Sequence, residues 1–144
     1  MTGATRGRRH TFHCPMRWSD MDAYGHVNNV VYLTYLEEAR VDMLFTIGAE
    51  LGAKALSEGV LVARHEIDYR RPLVYHPRGV DIDLWTAAIK GASFELRYEV
   101  HDDDTVFARA ASVLVPFDLV AGRPRRVSPE ERAFLGRYQE PAAD

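Results

Sequence analysis

The chain has 144 residues, of which 47% are hydrophobic, and a formal net charge of −3. This length favours one domain that buries its own core. The slightly acidic balance excludes a general attraction to nucleic acid, and no apolar run reaches the length of a membrane span, so we expect neither a nucleic-acid nor a membrane partner. The single cysteine, Cys14, permits no internal disulfide and indicates a cytoplasmic protein.

The first part of the chain predicts an arm followed by a strand. Residues 1–9 are small, polar and basic, which indicates a flexible N-terminal arm and leaves residues 10–140 as the single domain. Residues 10–18 predict a first strand. Within it, Pro15 favours a sheet edge or a bulge, because proline cannot donate to the hydrogen-bond ladder.

A long helix is predicted for residues 29–47. This stretch has neither proline nor glycine, and its apolar side chains recur at helical spacing, at Tyr32, Leu36, Ala39, Met43 and Ile47. Polar side chains, among them Glu37 and Arg40, occupy only a narrow face, so the helix is expected to be buried. Gly48 is expected to end it. At 1.5 Å per residue the helix is about 30 Å long, so it runs through the middle of a single domain.

Four further strands and a short helix follow. The strands are predicted at residues 60–69, 80–89, 93–100 and 105–117, from the alternation of apolar and polar side chains. The C-terminal helix begins after Ser128 as N-cap, with Pro129 at its first position and Glu131 at its third. The predicted fold is α+β: a five-stranded antiparallel sheet wrapped around the long central helix.

The turn before the long helix concentrates the reactive side chains of the chain. Its polar residues and its glycine are Asp20, Asp22, Gly25, His26, Asn28 and Asn29. A helix start has unpaired N–H groups and the positive end of the helix dipole, so it can polarise a carbonyl oxygen. Beside such a carbonyl, Asp22 can act as nucleophile or general base and His26 can move a proton. The turn therefore predicts hydrolysis of an ester or thioester.

A purely structural interpretation of the same turn stays open. Aspartate and asparagine before a helix are often only caps, which explains Asn28 well. Asp20 is expected to cap the helix or to pair with Arg17. A metal site at Asp20, Asp22 and His26 is not predicted, because no downstream ligand pair has a recognisable spacing.

The run DMDAYGHVNNVVYL, followed by YLEEAR, resembles the hotdog-fold acyl-CoA thioesterases of the 4-hydroxybenzoyl-CoA thioesterase type. The same turn is similar to that of plant acyl-ACP thioesterases, which share this fold. The motif covers residues 17–40, and the order of elements agrees over residues 12–117. The resemblance implies a homodimer with the two sheets joined edge to edge, or a tetramer, with acyl sites at the subunit interface.

The resemblance also implies residue roles. Asp22 corresponds to the catalytic carboxylate, His26 to a catalytic histidine of the acyl-ACP branch, and the N–H of Asn29 to the group that polarises the thioester carbonyl. The implied substrate-binding residues are Gly25, Asn28, Asn29 and Lys90, with Lys90 contacting a phosphate of CoA. Two departures separate the chain from both branches: Tyr24 replaces a catalytic asparagine of the acyl-ACP branch, and the aryl-specific branch has no histidine at position 26.

The expected activity is hydrolysis of acyl-CoA to a free carboxylic acid and CoA, without a metal or other cofactor. An acyl-ACP thioesterase is the first alternative, in which a basic surface receives an acidic carrier; its candidate residues are Arg70, Arg71, Arg78 and the loop 123–126. The second is a non-catalytic acyl-binding dimer in which Asp22 is only a cap.

Overall fold

The computed structural model of the protein describes residues 8–140. The strands in chain order are β1 His10–Cys14, β2 Val60–Tyr69, β3 Val80–Ile89, β4 Phe94–His101, β5 Val106–Asp118 and the short β6 Arg123–Pro124. The first five form one antiparallel sheet in the order β1-β3-β4-β5-β2, and β6 pairs with β5. This confirms the predicted α+β fold, with a curled antiparallel sheet and one long helix.

The long helix extends further than the sequence predicted. Helix α1, Asn29–Arg40, continues into a π-helical segment, Val41–Ile47, and a last turn, α2, Gly48–Glu50. The prediction that Gly48 ends the helix is wrong, because its φ of −58° is helical. The chain leaves the helix at Gly52, whose φ of 95° is left-handed, a conformation that glycine adopts without strain.

The core lies between the helix and one face of the sheet. Burial alternates strictly along β4, whose inward-facing side chains are Phe94, Leu96, Tyr98 and Val100. Leu36, Ala39 and Met43 of the helix belong to the same buried cluster. Burying a large apolar side chain contributes roughly 1.5–3 kcal/mol, so this contact fixes which sheet face meets the helix.

Strand β1 is shorter than the sequence predicted. It ends at Cys14, directly before Pro15, since proline has no N–H to continue the ladder. The remainder of the predicted strand is irregular and then forms a single 3₁₀ turn, Trp18–Asp20. This early end releases the chain toward the start of α1.

The two ends of the described chain meet beside β3. The predicted basic arm, residues 1–9, lies outside the described residues except for its last two. Of these, Arg9 stacks its guanidinium 3.7 Å from the ring centroid of Trp85 and donates to Glu140 at 2.7 Å. The C-terminal helix α3, Pro129–Gly136, has the predicted capping box between Ser128 and Glu131.

Strand β2 forms one edge of the sheet, and no other strand of residues 8–140 pairs with its outer side. Its inward-facing side chains and the neighbouring helix face both expose large apolar residues to solvent: Val30, Leu33, Val41, Phe45, Val62 and Tyr69. An exposed, apolar strand edge of this length is a surface on which a second chain can pair.

Candidate active site

The turn between the 3₁₀ segment and α1 is a tight loop closed by backbone hydrogen bonds. Met21 and Val27 form an isolated antiparallel bridge. Within it, the N–H of Asp22 donates to the carbonyl of His26, and the N–H of Gly25 donates to the carbonyl of Asp22, both at 3.0 Å. Gly25 has a φ of 77°, which a side chain would strain. The loop therefore holds Asp22 and His26 directly opposite each other.

The carboxylate of Asp22 is held unequally on its two oxygens. Its Oδ1 accepts the backbone N–H of Tyr24 at 2.9 Å, and its Oδ2 accepts only the side-chain amide of Asn28 at 3.3 Å. A bond of that length is weak. The side chain is partly exposed, so Oδ2 remains available to a substrate or a water molecule.

The start of α1 leaves one backbone N–H free. Asn28 is the N-cap, since its Oδ1 accepts the N–H of Val30 at 2.9 Å. Over residues 8–140, the N–H of Asn29 donates to no acceptor. This N–H belongs to the positive end of the helix dipole, so it can bind and polarise a carbonyl oxygen.

A cavity of about 320 Å³ opens beside this N–H, between the start of α1 and the end of β2. Tyr32 and Tyr69 form one wall, with their ring centroids 5.1 Å apart and an interplanar angle of 82°. The hydroxyl of Tyr69 donates to the carbonyl of Asn29 at 2.9 Å, which ties β2 to the helix start. His26 also lines this cavity. The sequence analysis did not assign the two tyrosines to the site, because only the fold brings β2 next to the turn.

Asp20 has a structural role. Its Oδ2 accepts the backbone N–H of Arg17 at 2.8 Å and the hydroxyl of Tyr35 at 2.5 Å. Burial, together with the Asp20 contact, raises the pKa of the Tyr35 hydroxyl. Asp20 thus fixes the turn to the helix, while Oδ2 of Asp22, two residues later, accepts only the long bond from Asn28.

Lys90 does not join the other predicted site residues within one chain. Register places Cys14 opposite Val80, so the start of β3 lies near the turn that precedes α1. Lys90 follows the other end of that ten-residue strand, about 30 Å away at 3.3 Å per residue. There its N–H donates to Ser93 in the β3–β4 turn. The prediction that Lys90 lies at the site is therefore not met by a single subunit.

The remaining predicted residues, Asp22, Gly25, His26, Asn28 and Asn29, lie together in the loop and helix start. In the part of the chain that the structure describes, no three His, Cys, Asp or Glu side chains are arranged to hold a metal ion. No helix there is both long and apolar enough to span a membrane.

Residues 16–135 match the family model described as the thioesterase-like superfamily. The chain belongs to this family. The match covers the turn before α1, the long helix, β2 to β6 and most of α3. It confirms the predicted enzyme class, a thioester hydrolase, and the hotdog fold.

Individual relatives agree with this assignment. Long-chain acyl-CoA thioesterase FadM of Escherichia coli is 41% identical over 59 residues; the match spans 45% of that protein's length and 41% of this chain. The PA2801 protein of Pseudomonas aeruginosa is 34% identical, with 88% of this chain and 98% of that chain covered and a TM-score of 0.76. A Thermus thermophilus thioesterase, solved in complex with coenzyme A and Zn, is 27% identical, with 91% and 93% covered and a TM-score of 0.75.

Proposed function

We propose that this protein hydrolyses acyl-CoA thioesters to a free carboxylic acid and CoA. The observation that carries the proposal is the free N–H of Asn29, a residue that lines an open cavity and directly follows Asn28, whose side-chain amide contacts the Asp22 carboxylate. A thioester carbonyl that accepts this N–H becomes more electrophilic, and the helix dipole stabilises the oxyanion that forms on attack. A non-catalytic acyl-binding dimer would not need a free N–H, a carboxylate and a cavity at the same helix start.

Asp22 is the catalytic carboxylate in this proposal. As general base, its Oδ2 takes a proton from a water molecule, whose oxygen bonds to the thioester carbon while the C–S bond breaks and the thiolate leaves. As nucleophile, the same oxygen bonds to the thioester carbon while the C–S bond breaks and the thiolate leaves, and water then hydrolyses the resulting anhydride to restore Asp22 and release the carboxylic acid. In the base route His26 relays to the departing sulfur the proton that Asp22 has taken from water, and in the nucleophile route His26 takes a proton from the water that attacks the anhydride.

Acyl-CoA is the preferred substrate class because of the relatives. FadM is named a long-chain acyl-CoA thioesterase, and the Thermus thermophilus structure holds coenzyme A. The branch named from the motif, the 4-hydroxybenzoyl-CoA type, would instead place an aromatic acyl group against the wall that Tyr32 and Tyr69 form. Arg70 and Arg71 line the same cavity and could receive either CoA phosphates or an acidic carrier protein. A cytoplasmic location stays a prediction from the single cysteine.

The working form is a homodimer joined through the β2 edges. Antiparallel pairing of two copies would cover the exposed backbone of β2 and its apolar neighbours, including Val62 and Tyr69. The same pairing would bring Lys90 of a second copy to the end of the dimer where Asn29 of the first lies. This arrangement would let Lys90 contact a phosphate of CoA, as the resemblance implies.

The test is thiol release from a panel of short, long and aromatic acyl-CoAs and from matched acyl-ACPs. We expect turnover with acyl-CoA in at least one class and slower turnover of the same acyl group on the carrier protein. Cys14 is fully buried and burial raises its pKa to about 12, so it adds little background with thiol reagents. Binding of acyl-CoA without turnover would favour the acyl-binding dimer, and faster turnover of acyl-ACP would reverse the choice of carrier.

A further inference from the structure

Arg40 is a buried cation that pairs with no carboxylate in the part of the chain that the structure describes. It lies in the last turn of α1 and is only 9% exposed, although the sequence placed it on the narrow polar face. Its Nη1 donates to the hydroxyl of Tyr98 at 3.3 Å. Within residues 8–140 no carboxylate oxygen lies within 4.0 Å of a guanidinium nitrogen of Arg40. A guanidinium has several N–H donors. Among the described residues no Arg40 nitrogen is both fully buried and unpartnered, so the donors not bonded to Tyr98 reach accessible space and can bind an acceptor.

The groups around Arg40 form a chain of hydrogen bonds with one direction. The Tyr98 hydroxyl accepts from Arg40 and donates to Oγ of Ser112 at 2.8 Å. The Ser112 hydroxyl is then left to donate to Nδ1 of His65, 2.6 Å away. Burial, and secondly the charge of Arg40, lower the pKa of His65, which favours the neutral ring. None of the three groups linked to Arg40 by these hydrogen bonds is an anion.

Arg40 also lines a second cavity of about 280 Å³, between the later part of the helix and the first part of β2. The other walls are mostly apolar: Val41, Leu44, Phe45, Val60, Leu61, Val62 and Leu114. Glu37 lines the cavity too, but this side chain is exposed and its charge is screened by solvent. The cavity thus combines an apolar wall with one buried cation.

The two cavities lie along the same helix. Asn29 and Arg40 are eleven residues apart in α1, about 16 Å at 1.5 Å per residue. Helical side chains lean back toward the N-terminus by about one turn, which leaves about 11 Å between the Asn29 N–H and the guanidinium. An extended chain covers about 3.5 Å in three bonds, so this span equals about nine bonds.

We propose that the second cavity is a subsite for the far end of the acyl group, and that Arg40 selects acyl chains of about ten carbons ending in a carboxylate. This inference rests on the proposed thioesterase function and names its substrate class. A carboxylate there would pair with the guanidinium through charge-assisted hydrogen bonds, while the methylene chain contacts the apolar wall. A methyl end would fill the same space and leave Arg40 unpaired.

The test compares two S-alkyl-CoA thioethers with ten-carbon chains, one ending in a methyl group and one in a carboxylate. Thioethers cannot be hydrolysed, so titration calorimetry reports binding alone. We expect the wild type to prefer the carboxylate end, and Arg40→Gln to reduce the ratio of the two affinities about tenfold or more. Glutamine keeps a donor for Tyr98 while it removes the charge.

Arg97→Gln is the matched control, because Arg97 neighbours Tyr98 but pairs with Glu95 on the opposite face of β4. It should leave the ratio unchanged. If Arg40→Gln does not fold, Arg40→Met takes its place, and the ratio of the two thioether affinities in the wild type tests the inference by itself. Equal wild-type affinity for both thioethers, or tighter binding of the methyl-ended one, overturns the inference. Either result leaves the proposed function intact and indicates that a second copy of the chain fills the cavity. Failure to bind either thioether refutes this inference alone. Failure to hydrolyse any acyl-CoA refutes the proposed function and, with it, this inference.

Discussion

Replacing Asp22 by asparagine should separate catalysis from stability. Asparagine keeps an Oδ1 acceptor for the N–H of Tyr24, so the turn retains its 2.9 Å bond. The second position becomes an NH₂ group that faces the amide of Asn28 and loses the 3.3 Å bond. A long, half-exposed hydrogen bond is worth about 1 kcal/mol or less, which corresponds to a fall in Tm of about 3 °C.

The effect on the rate should be much larger. Asparagine cannot accept a proton from water or attack a carbonyl, so the contribution of a positioned general base is lost. That contribution is roughly 10²–10⁴ in kcat, or about 3–5 kcal/mol of the barrier. Because the Asn29 N–H and the cavity are unchanged, KM should change little. Thiol release under saturating acyl-CoA gives kcat, and thermal unfolding followed by circular dichroism gives Tm.

Asp20→Asn is the matched control, two residues away and with the same change in chemistry. Oδ2 of Asp20 accepts both the Arg17 N–H and the Tyr35 hydroxyl, so this variant should lose about 1–3 kcal/mol of stability. Its kcat at a temperature where it is folded should stay near the wild-type value. If Asp22→Asn retains the wild-type kcat, or if both variants lose rate equally, the assignment of Asp22 as the catalytic carboxylate is wrong.

Three further predictions follow from particular contacts. Gly25→Ala and Gly122→Ala should each cost about 1–2 kcal/mol in unfolding experiments, since both glycines have positive φ and open space around the new Cβ, but only Gly25→Ala should also lower kcat. Val62→Lys should place a charge at the exposed β2 edge and shift the protein from dimer to monomer in analytical ultracentrifugation; a wild-type monomer would contradict the edge-paired dimer. Glu131 is fully buried: burial raises its pKa, but the hydrogen bonds from Arg125 and from a backbone N–H outweigh burial and hold the pKa below its ordinary value of 4.5. The stabilisation by Glu131 is therefore present above pH 4.5 and lost as the pH falls through the folded pKa. Glu131→Gln should be less stable than the wild type at pH 7, and its free energy of unfolding should fall less steeply as the pH is lowered.

The sequence alone was sufficient for the parts of the site that are local. Asp22, Gly25, His26 and the N-cap Asn28 lie within seven consecutive residues, and the bonds that arrange them join neighbours along the chain. The helix start is a local feature as well, because capping depends on the residues next to it. For the same reason the capping box at Ser128 was predicted correctly.

The sequence was less reliable where several local conformations are allowed. Glycine can end a helix or continue one. Gly48 continues the helix because this part of it packs against Phe134, whose ring lies 3.6 Å from the position that a Cβ would take at this glycine. The narrow polar face predicted for the helix included Arg40, yet the sheet covers it. Helical periodicity gives the faces of a helix but does not say which neighbour covers each face.

Only the tertiary structure decided which distant residues reach the site. Strand order places β2 at the edge and beside α1, so that Tyr69 contacts Asn29 across forty residues of chain. The register of β3 carries Lys90 to the far end of the sheet. Local propensity and motif spacing determine a turn and a cap, because their partners are a few residues apart. Strand order and register depend on the sum of many long-range contacts, and no short stretch of sequence contains that information.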